Sequence, residues 1–230
     1  MHIDAILFDK DGTLFDFNHT WGPWAGQVIE ELADGDRDRG DALASALGYD
    51  LVAKMYFPDS PLIACTNRQA AEYITGVLPH RGVDDIEQYL TVSAQDVPLA
   101  PVVPLDGFLT GLKQRGLKLG VMTNDSEAGA RAHLMAVGIA GYFDFIAGFD
   151  SGYGAKPDPD PLLAFACALG LDPGRVVMVG DSLHDLVAGR AAGMQTVGVL
   201  TGPACRDELA PCADVVLPDI GHLTTWLGDP

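Results

Sequence analysis

The chain is poor in positive charge. It carries 14 lysines and arginines against 32 aspartates and glutamates, a formal charge of -18 over 230 residues. A surface of that sign repels nucleic acid and anionic lipid at long range, so neither is expected as a partner. A small anionic substrate stays compatible with it, because a metal ion and one lysine can reverse the field inside a pocket. Long apolar runs are missing as well. None approaches the roughly 20 residues that cross a bilayer. Ala5–Phe8 is too short for the apolar part of a secretory leader, and no basic segment precedes it. The expected compartment is therefore the cytoplasm. Cysteine is scarce: Cys65, Cys167, Cys205 and Cys212 form no CxxC pair and have no histidine at zinc spacing, which argues against a zinc site or a disulfide framework. Cys65 and Cys167 lie in apolar, helix-patterned surroundings and read as small core residues. Cys205 and Cys212 flank a charged segment, where a reducing compartment disfavours a bridge. Internal repeats and low-complexity stretches are absent.

What is present is an ordinary globular mixture, 48% hydrophobic and 20% charged, enough for a packed core plus a smaller insert. Short apolar runs recur at Ala5–Phe8, Lys118–Met122, Phe143–Ala147, Val176–Val179, Thr196–Leu200 and Val215–Leu217. Several are almost continuous in Val, Ile, Leu, Met and Phe, the pattern of strands buried on both faces. Helix-length segments separate them, and three of these end at Gly138, Gly170 and Gly193, the residue type that stops helices. This alternation predicts an α/β fold with a Rossmann-like, mostly parallel sheet. From Asp16 to Val97 the rhythm breaks. No convincing strand is expected there, and Trp24–Leu32, Arg39–Leu47, Arg68–Val77 and Asp85–Val92 have helical spacing. Pro98, Pro101 and Pro104 mark a stiff return. The expected organisation is a core of residues 1–15 and 98–230 interrupted by a helical insert, residues 16–97.

Ligands of open parallel sheets sit beyond the carboxyl ends of the strands, so the residues just after each run carry the information. Asp9 and Asp11 follow the first run, with Gly12 allowing close backbone approach. Two near carboxylates suit a nucleophile beside an acid/base, although Asp-x-Asp-Gly also occurs in plain turns. In an extended chain the two would point the same way, and Lys10 between them would point away. Thr123 and Asn124 follow the second run and offer a hydroxyl and backbone amides to an anion, or simply lead into a capped helix. Lys156, in Gly154-Ala155-Lys156-Pro157, sits on a proline-stiffened stem and could neutralise phosphate, or be a surface lysine. Asp181 and Asp185 lie one helical turn apart, a spacing that suits magnesium or an N-capped helix. His184, between them, reads as solvent-facing.

Taken together and in order, Asp9-x-Asp11-Gly12-Thr13, Thr123, Lys156 and Gly180-Asp181-x-x-x-Asp185 resemble the four motifs of the haloacid dehalogenase superfamily of phosphohydrolases. The stretch Lys156–Gly202, with Ala188-Gly189-Arg190-Ala191-Ala192-Gly193-Met194, looks like the phosphoglycolate phosphatase branch, and the insert looks like that branch's cap domain. The resemblance implies a magnesium-dependent phosphomonoester hydrolase acting on a small phosphorylated, phosphoglycolate-like metabolite. It implies that Asp9 attacks phosphorus, that Asp11 is acid and then base, and that Asp9, the Asp11 carbonyl, Asp181 and Asp185 hold Mg2+. Gly12, Thr123, Asn124 and Lys156 would hold the phosphoryl oxygens. Asp11 argues against a dehalogenase, which would not need it. A sugar-phosphate mutase shares the four motifs, and a non-catalytic regulatory module would be expected to have lost one. Three features depart from the pattern: Lys10 where relatives are usually apolar, Asp125 where they often have lysine, and Phe17-Asn18-His19-Thr20-Trp21 in the insert. Lys10 is expected to play a structural role through an ion pair, and Asp125 to disfavour an anion. Arg68 is the basic insert residue singled out to meet a substrate carboxylate, the alternative being a solvated helix arginine. Trp21 and Trp24 are expected to pack between insert helices.

Overall fold

The computed structural model describes residues 2–63, 65–95 and 97–228. The chain opens with β1 (Ala5–Phe8) and then leaves the sheet. It forms α1 (Phe17–Ala33), α2 (Arg37–Leu47), the two-residue strands β2 (Tyr49–Asp50) and β3 (Met55–Tyr56), α3 (Asn67–Val77) and α4 (Val83–Ser93). It returns through α5 (Leu105–Gln114), β4 (Lys118–Met122), α6 (Glu127–Ala136), β5 (Phe145–Ala147) and α7 (Asp160–Leu169). It finishes with β6 (Val176–Gly180), α8 (Leu183–Ala191), β7 (Gln195–Val199), α9 (Arg206–Leu209), β8 (Val215–Leu217) and α10 (Leu223–Trp226). Two compact units result. One joins the segment up to Asp16 to the segment from Leu99 onward, and the other runs from Phe17 to Pro98.

The first unit is built on a six-stranded parallel sheet in the order β5-β4-β1-β6-β7-β8. The chain builds outward from β1 through β4 and β5, then resumes on the other side of β1 with β6. The central strand therefore lies at the point where strand order reverses. Burial explains why β1 is a bare apolar run. Ile6 and Phe8 face Leu105, Leu109, Leu112 and Leu134 on one side of the sheet, and Ala5 and Leu7 face Leu162, Phe165 and Ala188 on the other. With helices on both faces no position of the strand meets water, so alternation disappears.

The second unit has its own core, with Ile29, Leu32, Leu43, Leu47, Ile74, Ile86 and Leu90 from four helices. Local chemistry sets the helix ends. Asp36 caps α2 by accepting from the Arg39 amide, Gly48 ends it in the left-handed region at φ 61°, and Thr66 with Gln69 forms a reciprocal capping box on α3. Trp21 and Trp24 meet edge to face, ring centroids 5.2 Å apart, and pack on this core.

The absence of strands in the insert does not hold. Tyr49 pairs with Tyr56 and Asp50 with Met55 in a small antiparallel hairpin, too short to show a period-two pattern. Cys167 is also not a core residue. It is exposed on α7, because the buried side of that helix is filled by Leu162, Phe165 and Ala166. Among the described residues no helix is long and apolar enough to cross a membrane.

Gly120 in β4 lets α7 approach the sheet. A Cβ there would lie 2.6 Å from Phe165 Cε2 and 2.9 Å from Leu7 Cδ1. Gly120→Ala is expected to lower stability by about 1–3 kcal/mol in urea unfolding. An unchanged midpoint would show that Phe165 yields freely.

Candidate active site

The carboxyl edge of the sheet gathers side chains from four strand ends. Asp9 continues β1 by donating its amide to Val179 O at 2.8 Å, and its side chain is buried there. Lys156 arrives on the connection between β5 and α7. The Asn124 side chain brackets its backbone, donating from Nδ2 to Lys156 O at 2.9 Å and accepting from the Lys156 amide at 2.9 Å. Held in this way, Lys156 Nζ donates to Asp9 Oδ1 at 2.6 Å, to Asp185 Oδ1 at 2.7 Å and to Met122 O at 2.8 Å. An ammonium has three N–H donors, and each has an acceptor.

Asp181 follows β6, and Asp185 occupies the first turn of α8. Asp185 Oδ2 accepts from the Ser182 amide at 3.1 Å and from the Ser182 hydroxyl at 2.7 Å. Asp9, Asp181 and Asp185 each present one carboxylate oxygen within 4.8 Å of the others, and all three are buried. Glycines make room for this. A Cβ on Gly12, whose φ is +83°, would fall 2.3 Å from Asp181 Oδ2, and one on Gly202 would fall 1.7 Å from the same atom.

Crowding acidic groups out of water has an electrostatic cost. Burial pushes the Asp9 carboxyl up to about 7; Asp185 and Asp11 add to the rise and the Lys156 ammonium works against it. Asp181 is held well above the usual carboxylate range, first by burial and then by Asp9 and Asp185. Burial alone would pull Lys156 down, but Asp185 and Asp9 outweigh it and the group stays firmly charged. Three carboxylates therefore share one ammonium. An all-oxygen set with surplus negative charge fits a hard divalent cation such as magnesium.

Gly12 serves as space rather than as a free amide. Its N–H donates to Phe15 O at 2.7 Å and its carbonyl accepts from Thr201 Oγ1 at 2.6 Å. Thr123 is buried, and its hydroxyl accepts from the Asp125 amide at 3.1 Å. Thr201 and Gly202 are site residues that motif reading missed. They lie just past β7, after Leu200, so inspecting that strand end like the others would have found them.

Lys10 does not point away from both aspartates. Its Nζ lies 2.8 Å from Asp11 Oδ2 and 3.2 Å from Asp125 Oδ2. The extended geometry fails because the chain turns at once, with the Leu14 and Phe15 amides donating back to Lys10 O at 2.9 and 3.2 Å. Burial would lower the Lys10 pKa, but Asp11 and Asp125 more than offset it, so the side chain is charged. Asp125 is accordingly a paired acid, not a bare one. His184 is exposed. Arg68, in the other unit, is committed to Asp84 and, at 2.9 Å, to Glu87. The guanidinium is thus already paired within its own unit.

Residues 3–193 match the family model of haloacid dehalogenase-like hydrolases. The chain belongs to that family. Among curated relatives, a phosphoglycolate phosphatase of Neisseria meningitidis is 32% identical, covering 87% of this chain and 82% of its own. The pyrophosphatase PpaX of Bacillus velezensis is 29% identical, covering 86% and 83% respectively. The crystal structure of a HAD phosphatase from Thermococcus onnurineus superposes with a TM-score of 0.69, covering 98% of each chain at 24% identity. The fold is thus the parallel-sheet architecture of this hydrolase family.

The raised Asp9 pKa carries a sign. A carboxyl whose folded pKa is about 7 against an ordinary 3.8 favours the folded state fully below pH 3.8, and that contribution is lost as pH rises to 7. Asp9→Asn lacks the effect. In urea unfolding with a chelator present, the variant is expected to gain on the parent between pH 4 and 7, at no more than about 1.4 kcal/mol per pH unit. Variant stability that falls relative to the parent's over that range would contradict the charge distribution described above.

Proposed function

We propose that this hydrolase is a magnesium-dependent phosphomonoesterase that works through a phosphorylated Asp9. The observation that carries the reading is the buried Lys156 ammonium bridging Asp9 and Asp185, with Asp181 beside them. In the first step an Asp9 oxygen attacks phosphorus, the phosphorus–ester oxygen bond breaks, and the Asp11 carboxyl gives its proton to the departing alkoxide. In the second, Asp11 takes a proton from water as the water oxygen attacks phosphorus; the phosphorus–Asp9 bond breaks and inorganic phosphate leaves.

Asp9, Asp181, Asp185 and the Asp11 carbonyl would hold the ion, which supplies positive charge to offset the charge spread over the transferring group. The remaining work belongs to the chain. Lys156 keeps a fixed positive charge in contact with the oxygen of the nucleophile, where it opposes the negative charge of the incoming group. Thr123 and the Asn124 backbone stand at the next strand end as donors to phosphoryl oxygens. The Asn124 side chain secures the lysine backbone. The substrate class we assign is a small phosphorylated metabolite of the phosphoglycolate kind. The similarity to relatives named phosphoglycolate phosphatase supports that choice.

Asp9→Asn is expected to abolish magnesium-dependent release of phosphate while leaving the circular dichroism spectrum unchanged; retained turnover would defeat the mechanism. Asp181→Ala should raise the magnesium concentration for half-maximal activity sharply. Gly202→Ala, which drives a methyl into the Asp181 carboxylate, should raise it in the same direction by about tenfold. A metal titration identical to the parent's would remove Asp181 from the ligand set.

A further inference from the structure

The two departures from the family pattern at the sheet edge meet each other. Lys10 Nζ touches both oxygens of Asp11, at 2.8 and 3.1 Å, and lies 3.2 Å from Asp125 Oδ2 and 2.9 Å from His133 Nδ1. These partners come from three places: the turn after β1, the turn after β4, and the body of α6. A lysine ammonium can only donate, so His133 Nδ1 is the acceptor and the ring proton sits on Nε2. The Lys10 side chain is fully buried, whereas that of Asp11 keeps 17% of its surface exposed. The grip therefore comes from inside the protein, and the carboxylate is presented outward.

Burying an ammonium in this way is a poor route to stability. Apolar residues of similar volume commonly replace buried ion pairs without loss. What the arrangement does achieve is a fixed position for the Asp11 carboxyl group, since both of its oxygens meet one cation that also contacts Asp125 and His133.

We propose that Lys10, anchored by Asp125 and His133, is a positioning residue that orients the Asp11 carboxyl for proton transfer to the leaving group. The proposal rests on the reading of Asp11 as the acid. A proton misplaced by an ångström or so matters when the departing group is a strongly basic alkoxide and matters little for an aryl oxide that leaves unaided.

The test compares kcat/KM for an alkyl phosphate, glycerol 3-phosphate, with that for 4-nitrophenyl phosphate, with magnesium present. Because kcat/KM is set by steps up to loss of the leaving group, it excludes breakdown of the phosphoenzyme, and the alkyl-to-aryl ratio then reads the acid. Lys10→Met leaves the partly buried Asp125 without its cation and is expected to fold poorly; the double variant Lys10→Met/Asp125→Asn removes both charges and keeps the question answerable. The folded variant is expected to lose about tenfold or more on the alkyl ester relative to the aryl ester. Asp11→Asn, run alongside, should show the same selective loss to a greater degree. Equal losses on both esters in the Lys10 variants, or no loss on either, with a selective loss in Asp11→Asn, would overturn the positioning role and leave the acid assignment standing. No selective loss in Asp11→Asn would instead remove Asp11 as the acid, and the role of Lys10 with it.

Discussion

One buried ammonium makes the acidic edge of this sheet tenable. Asp9, Asp181 and Asp185 bring carboxylate oxygens within 4.8 Å of one another at buried positions. Like charges so placed either take up protons or need a counter-charge. Lys156 supplies it from the connection after β5, with every donor occupied and with its backbone clamped by Asn124. The clamp matters as much as the charge. A flexible lysine would lose rotamer freedom on entering such a site, whereas one delivered by a bracketed, proline-flanked segment arrives already placed. A single lysine does not balance three carboxylates, and the residual excess suits a hard divalent ion at the same spot.

Much of this was legible from sequence, because strands covered on both faces must be continuous apolar runs. Ala5–Phe8 and Lys118–Met122 were read with the observed boundaries, and the residues that end them carry the polar groups. The four insert helices were visible for a related reason: each buries one stripe, as Ala70, Ala71 and Ile74 do in α3. What escaped was geometry made by turns. Lys10 was assigned an extended-chain orientation, yet the amides of Leu14 and Phe15 fold back on its carbonyl. The contribution of Gly202 depends on a side chain 21 residues earlier, so spacing could not show it. The exposure of Cys167 turned on which of two apolar sides of α7 faces the sheet, a matter that composition leaves undecided.

Departures from a family pattern are often weighed one at a time, and here that would mislead. Taken separately, a lysine between the two aspartates and an aspartate after Asn124 each look unfavourable. Side by side they form an ion pair, with His133 accepting from the same ammonium. The acidic residue just past the end of β4 is thereby compensated from within the core. Arg68 shows the converse. A basic residue that looked available in the sequence is engaged by Asp84 and Glu87 on the neighbouring helix of its own unit, as expected where acids outnumber bases so strongly.

The claim at the centre of this account is that phosphorus becomes bonded to one oxygen of Asp9. Rapid acid quenching of the magnesium-loaded enzyme during turnover, followed by borohydride reduction and peptide mass spectrometry, reads that bond directly, because reduction turns an aspartyl-phosphate into homoserine. The account predicts homoserine at position 9 and at no other aspartate. Homoserine at another position, or none while phosphate is being released at full rate, would contradict it.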